Sequence, residues 1–219
     1  MRILLIAVLA ALAPALMSAL PAAGGPPPAG LSQYLVEPDP RLCPSPLCGG
    51  YWASLANHSQ TRCHDGVLRP RCYVAVALDE QRHQLETGVP AGAIVRADIE
   101  PWRFEGLGQL GALVVAAVRA PVGQKATGSV YRVKDLGIRC VRAPCFSFRA
   151  GKLNTLFRTT LSSLNLRPAF LTAEDRARTE AALETTNGLF ASGRVVRTAD
   201  GGRELRVWRV YLRAAPPRG

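Results

Sequence analysis

Six cysteines and three histidines are the residues of this chain with the most chemistry to offer. Four cysteines form two C-x4-C segments, Cys43 with Cys48 and Cys140 with Cys145, while Cys63 and Cys72 flank a His64-Asp65-Gly66 turn. Thiols so placed can hold zinc or cross-link. Structural zinc sites favour C-x2-C pairs closed by a second pair or by histidine. No such pair occurs, and the two C-x4-C segments lie far apart, so no metal is assigned. An even cysteine count in an exported chain implies disulfides. If each C-x4-C segment closes on itself, Cys63 and Cys72 are left as the third pair. Such local loops contribute about 2 kcal/mol each in the chain-entropy picture, so they fix loop shape more than they hold a domain together.

The histidines, His58, His64 and His83, all fall in the first half of the chain. A Ser/His/Asp arrangement needs a base oriented by a carboxylate. His64-Asp65 are merely neighbours at a hairpin tip, where a solvated surface histidine is the plainer reading. The chain holds no G-x-S-x-G, no H-E-x-x-H and no phosphate-cradling glycine loop. Glu100 and Glu105 flank Trp102 and Phe104, which would suit a sugar-stacking site but read more simply as packing. Asn57-His58-Ser59 matches a glycosylation sequon, a short pattern that assigns no chemistry by itself. The reading is therefore non-enzymatic, with no catalytic residue and no cofactor.

The elements around the cysteines repeat. Tyr34 to Asn57 laid on Tyr131 to Asn154 at a constant offset of 97 matches at Tyr34/Tyr131, Val36/Val133, Cys43/Cys140, Cys48/Cys145, Ala53/Ala150 and Asn57/Asn154. Internal repeats take precedence in a fold argument. Around them run short alternating or β-branched segments separated by Pro, Gly and Asp-Gly turns. Gln33–Val36, Tyr51–Ala56 and Cys72–Leu78 read as strands. Asp79–Thr87 reads as two helical turns, followed by strands at Ala93–Ile99 and Leu110–Arg119 with Trp102 and Phe104 in a polar connection. Ser129–Lys134, Phe146–Ala150 and Leu156–Leu166 repeat the strand set. Thr172 caps a helix running to about Thr186, and strands at Leu189–Arg197 and Arg203–Arg213 close the chain. The fold class expected is α+β, predominantly antiparallel β, with two duplicated β-β-β-α-β-β units. That order is similar to the oligonucleotide/oligosaccharide-binding (OB) barrel; a cystatin-type sheet fits it as well.

Residues 1–23 read as a secretory signal peptide: Arg2, an unbroken apolar run from Ile3 to Leu12, then Pro14 and small residues. Residues 24–32 read as a Pro/Gly linker, 33–121 as the first repeat, Pro121 to Gly128 as a connection, 129–215 as the second repeat and Pro216-Pro217 as a tail. The location expected is secreted or periplasmic, with no membrane span once the signal is removed. Charge divides the repeats. Residues 31–121 hold eight Arg against nine Asp/Glu, whereas 122–219 hold fifteen Arg and three Lys against seven acids, so nearly all of the net +11 lies in the second half. Outside the cytoplasm such asymmetry points to an anionic envelope polymer or an acidic protein, not to nucleic acid. The last strand is the candidate surface: Arg206 and Trp208 on one face, Arg209, Tyr211 and Arg213 on the other, with cations interleaved with aromatics as in grips on polyanions.

LCPSPLCGGYW at 42–52, CYVA at 72–75 and YRVKDLGIRCVRAPCFSF at 131–148 resemble a family of exported bacterial proteins classed only as a domain of unknown function. The resemblance covers most of the chain after the signal. It implies bacterial export without a lipid anchor and carries no activity. The function expected is an exported binding protein of the bacterial envelope. Two alternatives stand beside it: a secreted protease inhibitor using the constrained loops 43–48 and 140–145, and a cell-wall hydrolase.

Overall fold

The structure, a computed structural model, describes residues 31–125 and 128–213. The expected signal peptide, most of the 24–32 linker and the Pro216-Pro217 tail lie outside the described residues. The strands are β1 Ser32–Pro38, β2 Tyr51–Leu55, β3 Thr61–Arg62, β4 Leu68–Arg69, β5 Cys72–Val74, β6 Val76–Leu78, β7 Ala93–Phe104, β8 Gly108–Gly123, β9 Ser129–Asp135, β10 Phe148–Lys152, β11 Arg158–Leu161, β12 Ser163–Asn165, β13 Leu189–Arg197 and β14 Arg203–Arg213. Helix α1, Ala173–Glu184, lies between β12 and β13. The protein is thus mostly antiparallel β with a helical addition.

All strands except the β3–β4 hairpin join one sheet in the order β11-β10-β9-β13-β14-β8-β7-β1-β2-β5, with β12 on β14 and β6 on β8. In the first half β1 pairs with β2 and β7, β2 with β5, β7 with β8, and β6 runs parallel to β8. In the second half β9 pairs with β10 and β13, β10 with β11, β13 with β14, and β12 runs parallel to β14. Period-two burial explains the register. Val36 stands opposite Ala53 and Val133 opposite Ala150, and all four are fully buried. Val36, Ala53, Val74 and Leu113 belong to one apolar cluster, and Val133, Ala150, Leu189 and Leu205 to another.

A third cluster, Ala56, Ile94, Val130, Leu153, Phe190 and Tyr211, joins the halves. Two asparagines seal it. Asn57 Nδ2 donates to Val130 O (2.8 Å) and Leu153 O (3.1 Å), and its Oδ1 accepts from the Val130 amide (2.8 Å). Asn154 Nδ2 donates to Gln33 O (2.8 Å) and Ala56 O (3.0 Å), and its Oδ1 accepts from the Gln33 amide (3.0 Å). Gln33 and Ala56 stand 97 positions before Val130 and Leu153, so the two asparagines reach across to equivalent main-chain groups of the opposite half. Both hold a positive φ, 65° at Asn57 and 54° at Asn154, which asparagine tolerates better than most residues.

The structure corrects several sequence expectations. Asp79–Thr87 forms no helix. Asp79 Oδ1 accepts from the His83 amide (2.8 Å), the Asp79 amide donates to His83 O (2.8 Å) and Arg82 sits at φ 69°. Nine residues are too few to repay helix nucleation, and the aspartate side chain captures an amide that a helix would need. In the second half Thr172 does cap α1, its Oγ1 accepting from the Asp175 amide (3.1 Å). Trp102 and Phe104 belong to β7, which continues to the β7–β8 turn, and Arg82 pairs with Glu100 at 2.9 Å. The connection expected from Pro121 is strand up to Gly123, because β14 pairs there with β8, Tyr211 opposite Pro121. Ser32, placed in the linker, already belongs to β1. Strict alternation on β14 fails at a bulge between Ser192 and Gly193, where Ser192 faces Arg209 and Gly193 faces Val207, leaving Trp208 as the extra residue.

The three disulfides are Cys43–Cys48, Cys63–Cys72 and Cys140–Cys145. They fit an oxidising compartment. Among the described residues no helix is long and apolar enough to cross a membrane.

Candidate functional site: a basic groove

In β9 and β10, Arg149 stands opposite Lys134 and Gly151 opposite Arg132; in β11, Arg158 stands opposite Gly151. Because Val133 and Ala150 point inward, Arg132, Lys134, Arg149 and Arg158 share the outer face. Gly151 leaves the space that Arg158 occupies: a Cβ there would lie 2.7 Å from Arg158 Cδ. The result is a groove of about 400 Å³ lined by five cations, Arg132, Lys134, Arg149, Lys152 and Arg158, and by no carboxylate among the described residues.

Three of these cations are anchored. Arg132 Nε and Nη2 donate to Asn187 O (2.6 Å) and Thr186 O (2.9 Å), the carbonyls that follow α1. Arg158 Nη1 donates to Thr155 O (2.7 Å) and Phe157 O (2.8 Å). The Lys152 ammonium lies 5.3 Å from the Phe157 ring centre. Among the described residues no hydrogen bond or ion pair engages the Lys134 ammonium or the Arg149 guanidinium. The first half carries Leu35, Glu37 and Trp52 where the second carries Arg132, Lys134 and Arg149. Much of the charge difference between the halves is therefore concentrated on this face.

The five residues expected to grip a polyanion from the last strand do not form one surface. Tyr211 is 3% exposed and lies in the cluster between the halves. Trp208 is half-buried at the bulge, and Arg209 Nε donates to Gln124 O (2.6 Å). Arg206 is exposed but paired with Glu204 at 3.0 Å, and Arg213 is exposed on the side facing α1. Charge taken one strand at a time does not reveal the groove, because its cations come from three paired strands. Its signal was nonetheless present: Arg132-x-Lys134 and Arg149-x-Gly151 occupy the outward phase of two segments recognisable as strands.

The first C-x4-C loop is braced by an acid. Asp39, buried, accepts from Arg41 Nε (3.0 Å) and from the Trp52 indole (3.2 Å), and Arg41 lies 5.1 Å from the Trp52 ring and 4.8 Å from the Tyr73 ring. The Arg41 hydrogen bonds bring the Asp39 carboxyl down to about 2. A depressed carboxyl pKa stabilises the folded loop above the ordinary carboxylate range and loses that contribution as pH falls through the folded value. Trp52 emission should therefore shift as pH drops from about 4 to about 2. A shift complete above pH 4, or one that survives in Trp52→Phe, would contradict this brace. In the second half Asp135 braces the corresponding loop through Arg139 at 3.1 Å.

The histidines do not converge. His58 Nε2 lies 2.8 Å from Asn154 O, His64 lies against Gly111, and His83 is 3.5 Å from Asp79.

A β-rich chain with three local disulfides and a cationic outer face is the class that fold and site define. The comparison with known families agrees in leaving activity open: the chain belongs to the family described as Domain of unknown function (DUF6748), which matches residues 32–217. No curated protein and no solved structure matches it.

Proposed function

We propose that this is an exported, non-enzymatic binding protein of the bacterial envelope, built from two copies of one OB-like unit, that holds an anionic polymer in the basic groove of the second copy. The observation that carries the reading is the set of five cations across β9–β11 with no carboxylate among them. Arg149 opposite Lys134 costs stability, since like charges face each other across the ladder; a bound polyanion reverses that cost. The duplication is supported by the equivalent pairings of the two strand sets and by the reciprocal bonds of Asn57 and Asn154. The OB-like reading is supported by Ala75, which alone separates β5 from β6, so one bent strand touches both β2 and β8. In such folds the face of the second and third strands receives oligomers, and β10 and β11 hold those places here.

The test is a titration of full-length protein with lipopolysaccharide and with polyglycerol phosphate, using poly-glutamate as the acidic-protein comparison. Raising salt from about 0.05 to 0.5 M shortens the Debye length from roughly 14 to 4 Å. Affinity for at least one envelope polymer should fall at least tenfold. Salt-independent binding, binding to poly-glutamate alone, or no binding would refute the reading.

One observation favours the protease-inhibitor alternative. Leu42 and Val141, at the two disulfide loops, are fully exposed, as a side chain offered to a protease pocket must be, and braced loops bind at low entropic cost. Cleavage within 43–48 or 140–145 without inhibition of the protease would dispose of it.

A further inference from the structure

A second cavity, independent of the groove's polymer, lies where β8, β14 and the end of α1 meet. It measures about 400 Å³ and is walled by Ala181, Ala182, Leu212 and Tyr211, with Arg119, Arg178 and Arg213 as its charged residues. Arg119 is 6% exposed, yet among the described residues its Nη1 has no hydrogen-bond partner. Its guanidinium stacks 4.0 Å from the Phe190 ring centre. Directly across the β8–β14 ladder stands Arg213, a like charge. The nearby carboxylate, Asp175, is already engaged by Arg178 (3.4 Å) and the Thr172 hydroxyl (2.9 Å).

A buried charge without a counter-charge is costly, and proteins seldom keep one without a partner. Stacking on Phe190 offsets part of that cost and leaves the donors unused. Burial, then the neighbouring Arg213, Arg132 and Arg96, push the Arg119 pKa down to about 10, so the group stays protonated at neutral pH. The missing partner must be anionic, and two guanidinium forks suit a planar or tetrahedral oxyanion. The apolar wall suits a hydrocarbon body, and the volume falls in the range of small-ligand sites.

We propose that this cavity binds a small amphiphilic oxyanion, a carboxylate or phosphate monoester on a short hydrocarbon, with its head group on Arg119 and Arg213. The probes are octanoate, octyl phosphate, inorganic phosphate and 1-octanol, titrated calorimetrically into full-length protein. Octanoate or octyl phosphate should bind at least tenfold more tightly than both 1-octanol and inorganic phosphate; the tighter of the two identifies the head group. Arg119→Met and Arg213→Gln should each weaken that binding at least tenfold. Arg119→Met should also raise the melting temperature of the ligand-free protein, because it removes an unpaired buried charge; a purely structural arginine would give a lower one. Should Arg119→Met fail to fold, Arg213→Gln, at an exposed position, decides alone. Lys134→Gln/Arg149→Gln, which empties the groove of its two free cations, should leave octanoate and octyl phosphate binding unchanged, so the two sites fail or succeed separately. Equal affinity for 1-octanol and the acids, or anion binding undiminished in Arg213→Gln, would overturn the proposal.

Discussion

Asn57→Ala should lower the unfolding free energy by about 3–5 kcal/mol, and Asn154→Ala by a similar amount. Each change removes three hydrogen bonds to main-chain groups at the junction of the halves. Val130, Leu153 and Ala56 are buried, so those amides and carbonyls lose their partner without gaining water. An unsatisfied buried group costs about 1–3 kcal/mol, and alanine at positive φ adds about 1 kcal/mol. Against a usual domain stability of about 5–15 kcal/mol this is a large share. Urea unfolding measures it. Asn57→Gly separates the causes, since glycine accepts the backbone angle but not the bonds. It should recover only the smaller part of the loss. A loss below about 1 kcal/mol for both alanine variants would show that the reciprocal bonds do not hold the halves together.

The second large effect concerns binding. Removing the charges of Lys134, Arg149 and Arg158 together should weaken polymer affinity about a hundredfold, taking roughly 1 kcal/mol per cation near a polyanionic surface. Arg158→Gln also gives up two bonds to carbonyls, so a thermal melt must accompany the triple variant. Lys134→Gln/Arg149→Gln carries no such loss and should weaken binding about thirtyfold. Arg206→Gln, at a cation already paired with Glu204, should change affinity less than threefold. Equal losses from Arg206→Gln and from the groove variants would return the binding surface to the last strand.

Much of the strand set could be read from the chain because period-two burial and Gly or Asp-Gly turns are local signals. Leu189–Arg197 and Arg203–Arg213 coincide with β13 and β14. The matched residues at offset 97 also have structural roles: Val36 and Val133 fill the two cores, and Asn57 and Asn154 cross-bond them. What could not be read depends on contacts distant in sequence. The β14 bulge reverses which residues face inward after Val207, so Trp208 and Tyr211 could not be assigned by alternation. The groove requires three strands side by side, and the Arg119 cavity brings together residues about 60 to 90 positions apart. The absent first helix shows a local propensity losing to an aspartate turn.

Hydrogen-exchange mass spectrometry of the full-length protein with and without the bound envelope polymer tests the central claim most directly. Protection should concentrate in segments covering Arg132–Lys134 and Arg149–Arg158, and disappear at high salt. Protection confined to the first half, or to the β14 segment around Arg206, would contradict it.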